Sequence, residues 1–233
     1  MERISHSLTN KTSHRGNTKV ELTRLLRKRL DHPESTEIID AQIQKIFVET
    51  HAILILDMSG FSRLVEEFFI IHTLAQIQQM QGVIVPIVEA YQGEVLKLEA
   101  DNVYAVFPQV HCAVAAATTM IQQLAQVSIH ASIGIGYGEL IMIADDQGNR
   151  GNKDAFGNQM NLASKLGEDL AKADEILLTE AAFQQITDPG KNWQSEEMQV
   201  SSSKLQVWRP IVRISDSLYP PLTGGINTTS SPV

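Results

Sequence analysis

Ala52-Ile53-Leu54-Ile55-Leu56 is an unbroken apolar run that ends abruptly on Asp57. With no polar alternation, a strand made from it has no wet face; it reads as a central strand buried on both sides. A chain holding such a strand must cover a sheet with further layers, and the pattern that follows supplies them. A helical region runs over about 61–91, bent at Pro86 and stopped by Gly93. Strand-like segments occupy 94–98 and 102–107, with Glu99-Ala100-Asp101 in the tight turn between them. An Ala-rich helix covers 110–126. Strands over 128–137 and 139–143 meet around Gly138, and a polar loop spans 145–153. A helix over 157–171, a strand over 175–178, a short helix over 180–186 and a last strand over 205–214 complete the series. The opening order is βαββαβ. The expected fold is α/β (α+β): a ferredoxin-like core with appended strands and helices.

Upstream, the first 18 residues are polar and rich in Ser, Thr and Asn, which suits a disordered segment without a signal peptide. Leu22, Leu25, Leu26 and Leu30 keep helical spacing, interleaved with Arg24, Arg27, Lys28 and Arg29. Asp31-His32-Pro33 breaks that helix, and Ile38, Ile39, Ile43, Ile46 and Phe47 predict a second one. The basic cluster reads as a solvated helix face or as a contact for an acidic partner or surface. We therefore expect N-terminal polar residues and short helices over 1–50, one main domain over 51–214, and a loose Pro-, Gly-, Ser- and Thr-containing tail over 215–233. The N-terminal helices are a place for a regulatory partner or for dimer contacts.

The formal charge of -8 argues against nucleic acid as the main partner. No apolar stretch reaches the roughly 18 residues a membrane span needs. The single cysteine, Cys112, excludes an internal disulfide framework and reads as a small core residue, in keeping with a cytoplasmic protein.

In the βαββαβ topology the first strand lies antiparallel to the third. The end of the first then meets the start of the third, and Asp57 converges with Asp101 at one sheet edge. Paired carboxylates there are hard oxygen ligands suited to Mg²⁺. The turn Met58-Ser59-Gly60-Phe61-Ser62 follows directly, and backbone N–H groups at such a strand-to-helix turn can cradle a triphosphate. Taken singly, Asp57 also fits a helix cap and Asp101 a hairpin turn.

These residues resemble the motifs of the class III adenylyl and guanylyl cyclases. Asp57-Met58-Ser59-Gly60-Phe61-Ser62 is similar to that family's first metal motif, Asp-x-x-Gly-Phe-[Thr/Ser]. Lys97-Leu98-Glu99-Ala100-Asp101 resembles its Lys-x-x-Gly-Asp motif, and Ile133-Gly134-Ile135-Gly136-Tyr137-Gly138 its glycine-rich strands. The segment from Asp154 to Lys165 resembles Asp-x-x-Gly-x-x-x-Asn-x-Ala-x-Arg. The match covers roughly 51–214.

The resemblance implies roles. Asp57 and Asp101 would hold two Mg²⁺ or Mn²⁺ ions, with the Met58 carbonyl completing the shell. Gly60, Phe61 and Ser62 would bind the triphosphate, Lys97 and Asp154 the base. An ammonium and a carboxylate suit adenine N1 and its amino group, so the implied substrate is ATP. Asn161 would orient the ribose, and Lys165 would face charge growing on the α-phosphate. Asn161 and Lys165 lie four apart on one helix face, with Leu162 and Leu166 on another suited to packing. The implied activity is an adenylyl cyclase, a lyase forming cyclic AMP and pyrophosphate at a homodimer interface. The alternative is a catalytically weak or inactive cyclase-like nucleotide-binding module.

Three positions depart from the pattern. Ala100 stands where the family has Gly, and a left-handed backbone there would cost roughly 1 kcal/mol or more. Lys165 stands for Arg, keeping charge but losing the two-donor fork. Ser201-Ser202-Ser203-Lys204 lacks the Lys-Gly-rich pattern before the last strand, with Lys204 the candidate phosphate-binding lysine. No histidine is assigned as a base; His51, His72 and His130 read as packing or surface residues.

Overall fold

A computed structural model describes residues 16–60, 70–144, 153–187, 189–190, 192–200 and 203–211 of the chain. The buried run begins earlier than its apolar core suggests: β1 spans Val48–Met58 and is zipped on both sides. It pairs antiparallel with β3 (Asn102–Phe107) and with β4 (Ala131–Ile143). Ala52 to Leu56 are at most 1% exposed, as the unbroken apolar run requires. Alternate residues face opposite layers. Ala52, Leu54, Leu56 and Met58 pack with α3 (Ile70–Ala90) and α4 (Val110–Gln126), against Met80, Ile84 and Met120. Ile53 and Ile55 face the other way, onto Leu96, Val106 and Ala163.

β2 (Glu94–Glu99) completes the hairpin with β3. The sheet order begins β2-β3-β1-β4, which is the ferredoxin-like arrangement expected of βαββαβ. The appended elements follow: β5 (Asp154–Phe156), α5 (Asn158–Ser164), β6 (Ile176–Thr179), α6 (Glu180–Phe183), β7 (Trp193–Val200) and β8 (Ser203–Pro210). They extend the order through β6-β8-β7, with β5 paired to β4 and β6 parallel to β4. Upstream, α1 (Lys19–Asp31) and α2 (Thr36–Phe47) pack through Leu25, Ile39 and Phe47 onto Ile143. Thr18 caps α1, its Oγ1 accepting from the Glu21 N–H at 3.3 Å.

Four expectations change. The two strands meeting at Gly138 are one continuous strand, because β1 offers a partner at every position from Ala131 to Ile141, Gly138 opposite His51 included. The helix over 157–171 keeps α-geometry only to Ser164; Lys165–Leu170 is a π-turn. It runs where the Gly167 backbone lies on Gly134 and Ile55, so close that a Cβ on Gly167 would sit 2.9 Å from the Gly134 N and the Ile55 O. The last strand has an unanticipated partner in β7, whose polar alternation Gln194-Ser195-Glu196-Glu197 hides a strand. Gly93 follows the helix as expected, yet the left-handed residue is Gln92, with φ 64°. Gly93 is needed for space: a Cβ there would lie 2.5 Å from Phe107. The expected helical stretch over 61–69 and most of the polar loop lie outside the described residues.

Candidate active site

Asp57 is the second-last residue of β1, opposite Asn102 on β3 and Ser132 on β4. By strand alternation it shares a face with Ile53 and Ile55, the face α5 covers. Asp101 lies in the β2–β3 turn. The Met58 N–H donates to the Asp101 carbonyl at 3.2 Å, tying the end of β1 to that turn. Two residues distant in sequence thus meet at one sheet end. Ala100, just before, has φ 50°, the left-handed conformation in which a glycine would be unstrained. Gly60 has φ 84°, and Ser59 N–H donates to the His130 carbonyl at 2.9 Å, closing the turn after β1. Phe61 and Ser62 lie outside the described residues.

Lys97 and Asp154 lie on β2 and β5, two strands that touch at a second edge. The Lys153 N–H donates to the Leu96 carbonyl at 2.9 Å, which sets the start of β5 beside β2. Lys97 and Asp154 follow those two bonded residues directly. Asp154 is exposed, and the Lys97 ammonium pairs with Glu99 at 2.7 Å.

Asn161 and Lys165 ride on α5 and the turn after it. The helix lies unusually close to the sheet because β4 is glycine-rich there. A Cβ on Gly134 would sit 2.0 Å from the Ala163 carbonyl, and one on Gly136 2.6 Å from the Gln159 carbonyl. The Lys165 N–H still bonds the Asn161 carbonyl, so the two remain one turn apart. Asn161 is exposed. Leu166 is buried as expected, but Leu162 is only half-buried; Ala163 and Gly167 carry the contact with the sheet. Lys204 stands one residue from the β7–β8 bend, paired to Glu197 at 2.5 Å.

No family model matches the sequence, and no curated protein matches it. Solved structures do. The adenylyl cyclase CyaB from P. aeruginosa superposes with a TM-score of 0.58 at 19% identity, over 71% of this chain and 96% of that one. An adenylate/guanylate cyclase/hydrolase from Silicibacter pomeroyi gives 0.59 at 23%, over 71% and 98%. The catalytic core of a rhodopsin-guanylyl cyclase with converted specificity, in complex with ATPalphaS, gives 0.61 at 20%, over 71% and 96%. This chain has the class III cyclase fold.

Within that fold, this sheet end carries more acid than the motifs announce. Glu168 hangs from the π-turn, accepting from Ser164 Oγ at 2.6 Å and from the Tyr104 hydroxyl at 3.3 Å. Burial first, then the charges of Asp101, Glu168 and Asp169, push the Asp57 carboxyl up to about 7. Burial also raises Asp101. Tyr104 is pushed up to about 12 by burial and by Glu168. Sequence reading passed over Glu168, Asp169, Tyr104 and Asn102. Period-two alternation from Asp57 and its register partner marks Asn102 and Tyr104; nothing short of the π-turn brings Glu168 and Asp169 in. The cyclase fold implies divalent metal, and the donor set fits one: oxygen ligands only, two carboxylates whose ionisation burial opposes until a cation compensates it. No group of three or more acidic, His or Cys side chains gathers at metal-ligating distance among the described residues.

Proposed function

We propose that this chain is an adenylyl cyclase that converts ATP to cyclic AMP and pyrophosphate in the cytoplasm, as a homodimer with divalent metal. The observation that carries the reading is the meeting of Asp57 and Asp101 at one sheet end, fastened by the Met58–Asp101 backbone bond. Asp57, Asp101 and the Met58 carbonyl would hold two Mg²⁺ or Mn²⁺ ions. A metal held there would supply Lewis acidity, lowering the pKa of the ribose 3′-hydroxyl and offsetting charge on the phosphates. The chain's own work is positioning, since the attack is intramolecular. Gly60, with Phe61 and Ser62 next to it in sequence, receives the triphosphate. Asn161 holds the ribose. Lys165 meets the charge that grows on the α-phosphate oxygens.

Adenine as the base is supported by Lys97 and Asp154, which follow the hydrogen-bonded residues Leu96 and Lys153 on β2 and β5. The Lys97 ammonium donates to ring N1 and the Asp154 carboxylate accepts from the exocyclic amine. Guanine presents the opposite polarity at both places and leaves both groups unpaired. In the resting chain Lys97 is held by Glu99, so taking up the base exchanges that partner for N1. The homodimer reading rests on one chain carrying metal ligands, base readers and the ribose residue together, which gives a two-fold dimer two equivalent sites.

Purified protein incubated with Mn²⁺ or Mg²⁺ and either ATP or GTP tests this. We expect cyclic AMP, and ATP favoured over GTP by at least about tenfold in kcat/KM. Equal turnover of both nucleotides would remove the base assignment. ATP bound tightly with no product would leave a nucleotide-binding module.

A further inference from the structure

Asn102 follows the second metal aspartate, and no motif includes it. It faces Asp57 directly across the β1–β3 ladder and Glu99 directly across the β2–β3 ladder. Directly opposed residues on antiparallel strands share a face, with Cβ atoms about 4.5–5.5 Å apart. Strand alternation agrees: Val103, Ala105 and Phe107 go to the helical core, while Tyr104 packs on the Ile53–Ile55 side. Glu99, Asn102 and Asp57 therefore form one row across three strands, beside Asp101.

The Asn102 Oδ1 is buried and has no hydrogen-bond partner. A buried acceptor without a partner costs stability, and native structures rarely tolerate one unless something else occupies the place. Its neighbours in the row are carboxylates, which are acceptors too. Acceptors gathered round an unmet acceptor call for a cation or for the hydrogens of its bound water. A carbonyl oxygen is a hard, neutral ligand that divalent ions of this class take alongside carboxylates.

We propose that Asn102 Oδ1 serves the divalent-cation site of Asp57 and Asp101, as a neutral oxygen facing the ion or its water shell. The inference rests on the cation-site reading above. It adds a third side-chain oxygen without adding negative charge to a sheet end already rich in it. It also explains why the residue is an amide: an acid at that position would stand between two carboxylates, and an apolar residue would offer the ion nothing.

The test is Mn²⁺ binding by the full chain without nucleotide, read from the electron paramagnetic resonance signal of free Mn²⁺, together with Tm in the presence and absence of Mn²⁺. Asn102→Leu keeps the branched outline of the side chain and lacks the oxygen. Its Mn²⁺ affinity should fall at least about tenfold. Its metal-free Tm should not fall, because the unmet acceptor is gone, while its Mn²⁺-induced rise in Tm should shrink. Asn102→Asp should bind Mn²⁺ at least as tightly as the parent and have a lower metal-free Tm. A purely structural asparagine would lower the metal-free Tm in the Leu variant and leave Mn²⁺ affinity alone. An Asn102→Leu chain that binds Mn²⁺ like the parent, or an Asn102→Asp chain that binds it more weakly, overturns the proposal. If Asp57→Asn abolishes binding in the same series, the cation site stands and only the role of Asn102 falls. A parent chain that takes up no Mn²⁺ sinks both.

Discussion

Ala100 holds a left-handed conformation with a side chain that disfavours it. The penalty for an L-residue there is about 1–2 kcal/mol, and glycine gives back about 0.5–1 kcal/mol through its freer unfolded state. Ala100→Gly should therefore raise unfolding free energy by about 0.5–1 kcal/mol, seen as a higher urea midpoint at unchanged slope. A lower midpoint would show that the turn is not strained. The proposed role of Lys165 lies in the chemistry instead. A point charge stabilises a growing phosphoryl charge, and a bidentate guanidinium does so better. Lys165→Ala should lower kcat by about one hundredfold, which is about 2.7 kcal/mol. Lys165→Arg should stay active or gain. An unchanged kcat in the alanine variant would take Lys165 out of the reaction.

At the scale of elements, the site depends on how closely α5 and its π-turn press on β4. Gly134 is the tightest contact, and a Cβ there has nowhere to go except into the Ala163 carbonyl. Gly134→Ala should cost about 1–3 kcal/mol or more. It should reduce activity beyond what the lost stability explains, since the displaced helix carries Asn161 and Lys165. Gly82 is the control: it is exposed inside α3, and a Cβ there meets nothing within 4 Å. Gly82→Ala should stabilise by about 0.5–1 kcal/mol without changing kcat. Denaturation and turnover measured on both variants separate packing from helix propensity. If Gly134→Ala is neutral, the close approach does not hold α5.

At the scale of the whole molecule, the proposed dimer makes a claim about which chain supplies what. Asp57 would act in one site while Asn161 of the same chain acts in the other. Asp57→Ala and Asn161→Ala should each silence both sites of their own homodimers. In a mixed dimer both lesions fall in one site and the other is intact. Random exchange at equal amounts makes half the dimers mixed, each with half its sites whole. Activity should then return to roughly one quarter of the parent's. Cyclic AMP formation by the mixture, with exchange verified by native mass spectrometry, decides it. Exchange without recovery would put the whole site within one chain. No helix among the described residues is long and apolar enough to cross a membrane.

The sequence by itself determined the frame. The apolar run Ala52–Leu56 demanded a strand buried on both faces, and the spacing of helices and hairpin after it demanded the β2-β3-β1-β4 order. Those two constraints are local and periodic, so they are written along the chain. They also brought Asp57 to Asp101, because strand order alone decides which strand ends meet. The tertiary structure decided what depends on close approach and register. Whether β4 breaks at Gly138 depended on β1 being long enough to pair on both sides of that glycine, from Ala131 to Ile141. The π-turn at Lys165 follows a helix backbone resting on glycines of another strand, and it is what hangs Glu168 near Asp57. β7 is polar on both faces of its pattern, so only its pairing with β8 reveals it. Asn102 looks like an ordinary turn-flanking amide until its carbonyl oxygen is seen buried without a partner in a row of carboxylates. An unmet hydrogen bond is a property of surroundings assembled from three strands, and no single stretch of sequence carries it.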